Sequence, residues 1–287
     1  MTLFLQLVLN GIVNGSHYAL LGVGFGLIFG TTNLVHFAYG PVYTAAAYAT
    51  WAAVALLGLP LLAAVPFGLL AAAALGVATY LLLYRPFERR AAPTFVVLVA
   101  SLGLFILLEN VIAILFGTDI KVIPNLPSHV VLVGPFFLTD LQIYQVCAIA
   151  LIGGALALFL NFTSYGKAVL AMTDNREMAR IVGIDTVKVS VVVFAIGSAI
   201  SAVAAVLILM KDGAQPTMGF GAVFIAFVAV VVGGIGSLRG AVLGGYLLGL
   251  VENVGMIRIP TEWQSSIAFV VLFLVLIFRP QGLLRGS

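Results

Sequence analysis

Residues 56–83 read LLGLPLLAAVPFGLLAAAALGVATYLLL, apolar on every face of any regular element. They close a longer stretch, Met1–Tyr84, that contains no Asp, Glu, Lys or Arg. A membrane-spanning helix takes about 20 apolar residues, so this stretch holds three hydrophobic elements. A transmembrane barrel is excluded, because its strands alternate apolar and polar residues around a polar lumen. The composition of all 287 residues agrees: 63% are hydrophobic and 8% charged. Soluble domains carry roughly 25% charged residues, so the chain could not cover a water-facing surface. A soluble globule, a disordered chain and a nucleic-acid-binding protein are excluded. The fold class is all-α: one polytopic membrane helix bundle over 1–287, with about 8–10 spans and broken or re-entrant segments.

Working outward, hydrophobic segments fall at 4–30, 41–58, 61–83, 94–116, 140–161, 189–210, 219–235, 240–256 and 263–278. The first reads as a retained span, since it lacks the basic flank and cleavage site of a signal peptide. With the spans from 94 onward alternating, ten basic residues share one side: Arg85, Arg89, Arg90, Lys167, Arg176, Arg180, Lys188, Arg239, Arg279 and Arg285. Lys121, Lys211 and Arg258 fall on the other. The basic side is expected in the cytoplasm, together with the C-terminus. Nine spans would put the N-terminus outside, and eight or ten inside. The outer loop 117–139, with Pro124, Pro127 and Pro135, reads as an irregular cap. Cys147 allows no internal disulfide and reads as a buried packing residue.

Two polar, helix-breaking stretches interrupt the apolar pattern. One is Thr31–Pro41, which includes Asn33, His36, Phe37, Tyr39 and Gly40. The other is Gly233-Gly234-Ile235-Gly236-Ser237-Leu238-Arg239-Gly240. Transport proteins place broken helices where solutes pass, because freed backbone groups must face protein or a cavity. The alternative is an ordinary turn between spans. Glu109-Asn110 and Glu252-Asn253 lie near the outer ends of their segments. A charge in lipid is costly, so each acid either faces a vestibule or touches headgroups. His36 either lines a path or caps a helix. His17 reads as a packing or interhelical hydrogen-bonding group. Gly22, Gly24, Gly26, Gly240, Gly244, Gly245 and Gly249 read as close helix contacts.

No phosphate-binding G-x-x-x-x-G-K-[ST] loop, metal-ligand spacing or nucleophile–base pattern is present, so the chain itself is expected to bind no cofactor and hydrolyse no ATP. The loop 162–188 carries Asp174-Asn175-Arg176-Glu177-Met178-Ala179-Arg180-Ile181-Val182-Gly183-Ile184-Asp185. Asp174 with Glu177 reads as a helix start and Gly183 as its stop. A helix over 175–182 places Met178, Ile181 and Val182 on one side and Arg176 with Arg180 on another. Such a helix suits a groove on a partner protein; the alternative is a helix lying on the bilayer.

This loop resembles the coupling loop of bacterial ABC importer permeases. The Asn33–Gly40 stretch resembles the I-N-F-A-H-G motif of branched-chain amino-acid permeases of the LivH type. Residues 233–245 resemble their G-G-x-G-S-x-x-G-A-x-x-G-G motif, and 279–284 their R-P-x-G-L-L tail. His36 and Tyr39 stand where the family has asparagine and histidine, and Pro41 where an acidic residue often follows. The resemblance implies a second, LivM-like permease, two ATPase subunits (LivG-like and LivF-like) that use ATP and Mg, and a periplasmic binding protein. It also implies location in the inner membrane and alternating access driven through 174–185. Related permeases carry urea, short amides or aromatic acids. From another class, an ion-coupled secondary carrier would need its membrane acids rather than the loop helix.

Overall fold

The computed structural model describes residues 2–124, 130–133, 136–258, 260, 263–279 and 281–284. Pro127, Pro135, Pro280 and Arg285, used above, lie outside the described residues. All nine expected segments are helical. The long ones are α1 (Thr2–Thr32), α2 (Tyr39–Ala55) and α3 (Leu61–Thr79), which runs through a π turn (Tyr80–Tyr84) into α4 (Arg85–Arg89). Next come α5 (Thr94–Phe116) and α6 (Asp140–Phe162). Loop helices α7 (Ser164–Asp174) and α8 (Arg176–Ile181) precede α9 (Thr186–Asp212), α10 (Met218–Gly233), α11 (Leu238–Gly255) and α12 (Gln264–Phe278).

Among the described residues, five helical stretches are individually long and apolar enough to cross a membrane. These are 3–32, 61–89, 94–116, 140–162 and 186–212. The expected spans 219–235 and 240–256 instead form one pair bent by 114° at 234–237. The remaining two are short, α2 with 17 residues and α12 with 15. With the bent pair and the two shorter helices beside the five, the chain forms the expected all-α bundle with broken or re-entrant segments. The outer loop is not wholly irregular either: Val130–Val133 (β1) and Phe136–Thr139 (β2) pair antiparallel.

α1 is the axis of the molecule. In its spanning window 78% of residues are buried, against 22%, 17% and 22% for the windows of α3, α5 and α6. Those three lie at the periphery, which accounts for Cys147: it faces outward on α6 and is exposed. An apolar run does not reveal which face looks toward lipid. α1 packs antiparallel along α11, with α9 and α10 beside it. A Cβ at Gly245 would lie 2.5 Å from the amide nitrogen of Ala19, and one at Gly15 would lie 2.9 Å from Cα of Tyr246. Small residues bring the backbones together where lipid supplies no hydrophobic drive. The expected glycine contacts of this helix pair are therefore real.

The ends of the bundle can be identified by contacts. Gln6 bonds the backbone of Phe137, and Trp51 donates to the carbonyl of Val122. α1, α2 and the β hairpin thus share one end. At the other end Arg176 meets Thr32 and Glu88, Gly30 faces Gly236, and Leu284 bonds Gly233. Nine of the ten basic residues grouped by sequence gather there, and the tenth is Arg285. The N-terminal and C-terminal segments thus lie at opposite ends.

The α1–α11 contact yields a direct test. Gly245→Val should cost about 1–3 kcal/mol or more through overpacking. Gly103→Ala, at a helix position open on α5, should change stability by less than ~1 kcal/mol. Thermal midpoints of the two purified variants in mild detergent check the contrast; equal midpoints would refute the packing assignment.

Candidate functional site

The loop helix forms, with a different start from the one expected. Asp174 ends α7, and the cap of α8 is Asn175, whose side chain accepts from the backbone N–H of Met178 at 2.9 Å. Asp and Asn cap equally well, and here the break between two helices decides between them. Gly183 ends the helix as expected: its φ of +91° is open to glycine, and Ile184 N–H reaches back to the carbonyl of Ala179. Met178, Ile181 and Val182 are 54%, 73% and 70% exposed, and Ala179 is buried below them. Glu177 and Arg180 are exposed and form no ion pair among the described residues. Asp185 caps α9 by accepting from Val187 and Lys188 N–H. The Lys188 backbone and ammonium hold its carboxyl below the usual range.

Arg176 does not share the exposed face with Arg180. Its guanidinium turns inward, donating to the carbonyl of Thr32 at 3.1 Å and to Glu88 Oε1 at 2.8 Å. The other oxygen of Glu88 accepts from Tyr80 Oη at 3.0 Å. Tyr80 and Tyr84 bound the π turn, where Arg85 N–H bonds the carbonyl of Tyr80. Pro86 lies one residue on. It has no N–H for the carbonyl of Leu82 and crowds it, which favours a widened turn.

The first interruption is built into the bundle. α1 ends at Thr32, and Asn33 follows with φ +56°, a conformation asparagine tolerates. The chain then turns back inside. Tyr39 Oη donates to the carbonyl of Leu21 at 3.1 Å, roughly 16 Å of helix before the end of α1. So α2 starts within the depth of the bundle. Freed N–H groups are met by Ser101 Oγ, which accepts from Phe37 at 2.8 Å. His36 is fully buried, with Nδ1 2.9 Å from Tyr84 Oη, and Tyr84 Oη lies 2.7 Å from Ser101 Oγ. The Phe194 ring lies tilted against the His36 ring, with 5.1 Å between centroids. Gly40 packs on Gly219 at the start of α10. Asn33 lines a cavity of about 90 Å³ with Glu88. His36 and Tyr39 are packed shut rather than facing open space.

The second interruption is the α10–α11 elbow. Ser237 caps α11 by accepting from Gly240 N–H at 3.0 Å. Gly233 and Gly234 are covered by the C-terminal segment: Leu283 and Leu284 N–H bond the carbonyls of Val232 and Gly233, both at 2.9 Å. Gly236 and Ser237 border a cavity of about 520 Å³ between α1, α6, α7 and α11. Its walls include Leu27, Leu156 and Val169, with Thr31, Thr173 and Arg239 as polar groups.

The two acids part company. Glu252 is 5% exposed and accepts from Tyr18 Oη at 2.5 Å, while Asn253 accepts from Asn14 at 3.3 Å. These are interhelical bonds between α1 and α11, not headgroup contacts. Tyr18 also borders a cavity of about 270 Å³, with His17, Gln145, Lys211 and Asp212. Glu109 is half-exposed on peripheral α5, and Asn110 bonds only its own helix at Ile106. His17 Nδ1 has no partner among the described residues. The candidate path residues thus form three groups at different depths, with Glu109 and Asn110 apart from all of them.

Sequence reasoning missed Glu88, Tyr80, Tyr84 and Ser101. Glu88 sits in Arg85-Pro86-Phe87-Glu88-Arg89-Arg90, which was read only for its positive charge. An acid inside a basic cluster was the available signal. Tyr80 and Tyr84, four apart at the end of an apolar run, were another.

Comparison with known proteins follows the same length of chain. The model of the family described as branched-chain amino acid transport system / permease component matches residues 7–276. The high-affinity branched-chain amino acid transport system permease protein BraD of Pseudomonas aeruginosa is 34% identical over 98% of this chain and 95% of its own. The corresponding protein LivH of Escherichia coli K12 is 33% identical over 98% and 95%. Among solved structures, PsaBC from Streptococcus pneumoniae in complex with Fab aligns at 14% identity with a TM-score of 0.47, covering 98% of this chain and 91% of that one. With a family match across nearly all of its length and relatives above 30% identity, the chain belongs to the branched-chain amino acid transport system permease family, as a multi-pass membrane protein.

Proposed function

We propose that this chain is one of two permease subunits in an ATP-binding-cassette importer that carries branched-chain amino acids across the inner membrane. BraD and LivH, described as branched-chain amino acid permeases along nearly the whole chain, support that substrate. The partners are a second, LivM-like permease, two ATPase subunits of LivG and LivF type, and a periplasmic binding protein. The chain hydrolyses nothing and binds no cofactor; ATP and Mg are used by the ATPases.

The observation that carries the coupling reading is α8. It is a short, capped helix at the basic end of the bundle, presenting Met178, Ile181 and Val182 to solvent. An ATPase groove would take this stripe, with residues 174–185 as the docking segment. The basic end is then cytoplasmic, which puts the C-terminus inside and the N-terminus outside. Binding protein would approach from the end that carries the β hairpin.

The mechanism follows from the elements. Closure of the ATPases on ATP moves α8, and the movement must reach helices whose packing has two arrangements. The broken segments at 33–38 and 234–237 are the places where the bundle can rearrange without exposing backbone to lipid. An apolar side chain suits the walls of the large cavity. Backbone dipoles at helix breaks would meet the amino and carboxyl groups of the solute. Asn33, His36, Phe37, Tyr39, Gly40, Gly233, Gly234, Gly236 and Ser237 lie at or beside these breaks. Glu252 joins the outer side, and Glu109 with Asn110 is expected to be dispensable.

Two experiments test this. Met178→Glu with Ile181→Glu should abolish co-purification of the ATPase subunits while the second permease still comes down; retained ATPases would refute docking at α8. In proteoliposomes holding the full complex, labelled leucine uptake should be competed by valine and isoleucine and not by urea. Competition by urea and indifference to valine would refute the substrate.

A further inference from the structure

A series of polar contacts, continued through the π turn, begins on the loop helix and ends at the first interruption. Arg176, the first residue of α8, has two arms. One is its bond to the carbonyl of Thr32, directly before Asn33. The other runs through Glu88, whose two oxygens are divided between Arg176 and Tyr80. Tyr80 opens the π turn and Tyr84 closes it. Tyr84 Oη then touches both His36 Nδ1 and Ser101 Oγ, and Ser101 holds the N–H of Phe37. One arm therefore ends at Thr32, just before the interruption, and the other at His36 and Phe37 within it.

We infer that Glu88 is a positioning residue for transport: it transmits the displacement of α8 through Tyr80 and the π turn to the His36 segment. This rests on the reading of 174–185 as the ATPase-docking segment. The physical reason lies in the part joined at each step. A carboxylate held by a guanidinium on one oxygen and a phenol on the other is a charge-assisted, directional link. Its side chain is 22% exposed, so the link is only partly screened by water. A π turn contains one residue more than an α turn, and such turns recur at functional sites; transmission requires of it a second, discrete arrangement. Moving Tyr80 relative to Tyr84 would turn the hydroxyl that holds His36 and Ser101. Glu88 itself borders only the small cavity beside Asn33, and no solute contact is assigned to it.

The test uses the complete complex in proteoliposomes loaded with binding protein, measuring ATP hydrolysis and labelled leucine uptake in the same vesicles. Glu88→Gln keeps the shape and removes the charge. It should leave the ATPases bound and hydrolysis within about twofold of native, while leucine moved per ATP falls about tenfold. Tyr80→Phe, which removes one hydroxyl, should act in the same direction and decides the question if Glu88→Gln does not assemble. Exchanging the charges, Arg176→Glu with Glu88→Arg, should restore part of the ratio lost in Glu88→Gln, but not all of it, because the exchange removes the donor to the Thr32 carbonyl. A native ratio in Glu88→Gln, or hydrolysis and uptake falling in proportion, would overturn the inference. The Met178→Glu, Ile181→Glu complex separates the two levels. If it keeps its ATPases, the docking reading fails and the inference with it. If it sheds them while Glu88→Gln transports normally per ATP, only the inference fails.

Discussion

The close approach of α1 to α11 is the contact on which the rest of the bundle depends. Backbone meets backbone at Gly15 with Tyr246 and at Gly245 with Ala19, leaving no room for intervening side chains. In lipid such an interface is held by dispersion and by the few polar bonds that cross it. Here those are Tyr18 to Glu252 and Asn14 to Asn253. With α1 fixed in this way, α9 and α10 fill its flanks, and the interrupted segment after Thr32 folds back into the depth of the bundle. The peripheral helices α3, α5 and α6 are left with apolar outer faces, as a chain surrounded by lipid requires.

A second constraint shapes both interruptions: freed backbone groups must find partners inside the protein. At 33–38 the partner is Ser101 on α5, backed by Tyr84 and His36. At 234–237 it is the cap of Ser237 and the returning segment around Leu283 and Leu284. Each interruption is thus supported by residues remote in sequence. Arg176, reaching Thr32 and Glu88, joins the exposed loop helix to the first of the two.

Local chemistry was the legible part. The apolar runs located every long helix, and the Gly183 stop and the Met178, Ile181, Val182 stripe on α8 were readable because they depend on neighbours in sequence. The cap at Asn175 was misassigned to Asp174, since both residue types offer the same acceptor and only the end of α7 distinguishes them. Remote pairings were hidden. Nothing near Tyr39 announces Leu21 as its partner, so the depth at which α2 begins could not be read. The stretch 233–240 was legible as a helix break or an ordinary turn, but the 114° bend between α10 and α11 was not, because hydropathy reports length and not direction. Glu109 and Glu252 looked alike in sequence; burial against Tyr18 sets them apart. Cys147 was misplaced for a related reason, as an apolar helix face reads the same toward lipid as toward the core.

The covering of the elbow by Leu283 and Leu284 has a consequence for how the molecule is made. All of α11 and α12 lies in sequence between those residues and the carbonyls they meet, so both helices must be made before the contact can form. Until it forms, the carbonyls of Val232 and Gly233 lack the donors that close the elbow. The segment around Leu283 is a clasp fastened across a 114° hinge made earlier in the chain, and an elbow without it is an unfinished membrane protein that quality control could recognise.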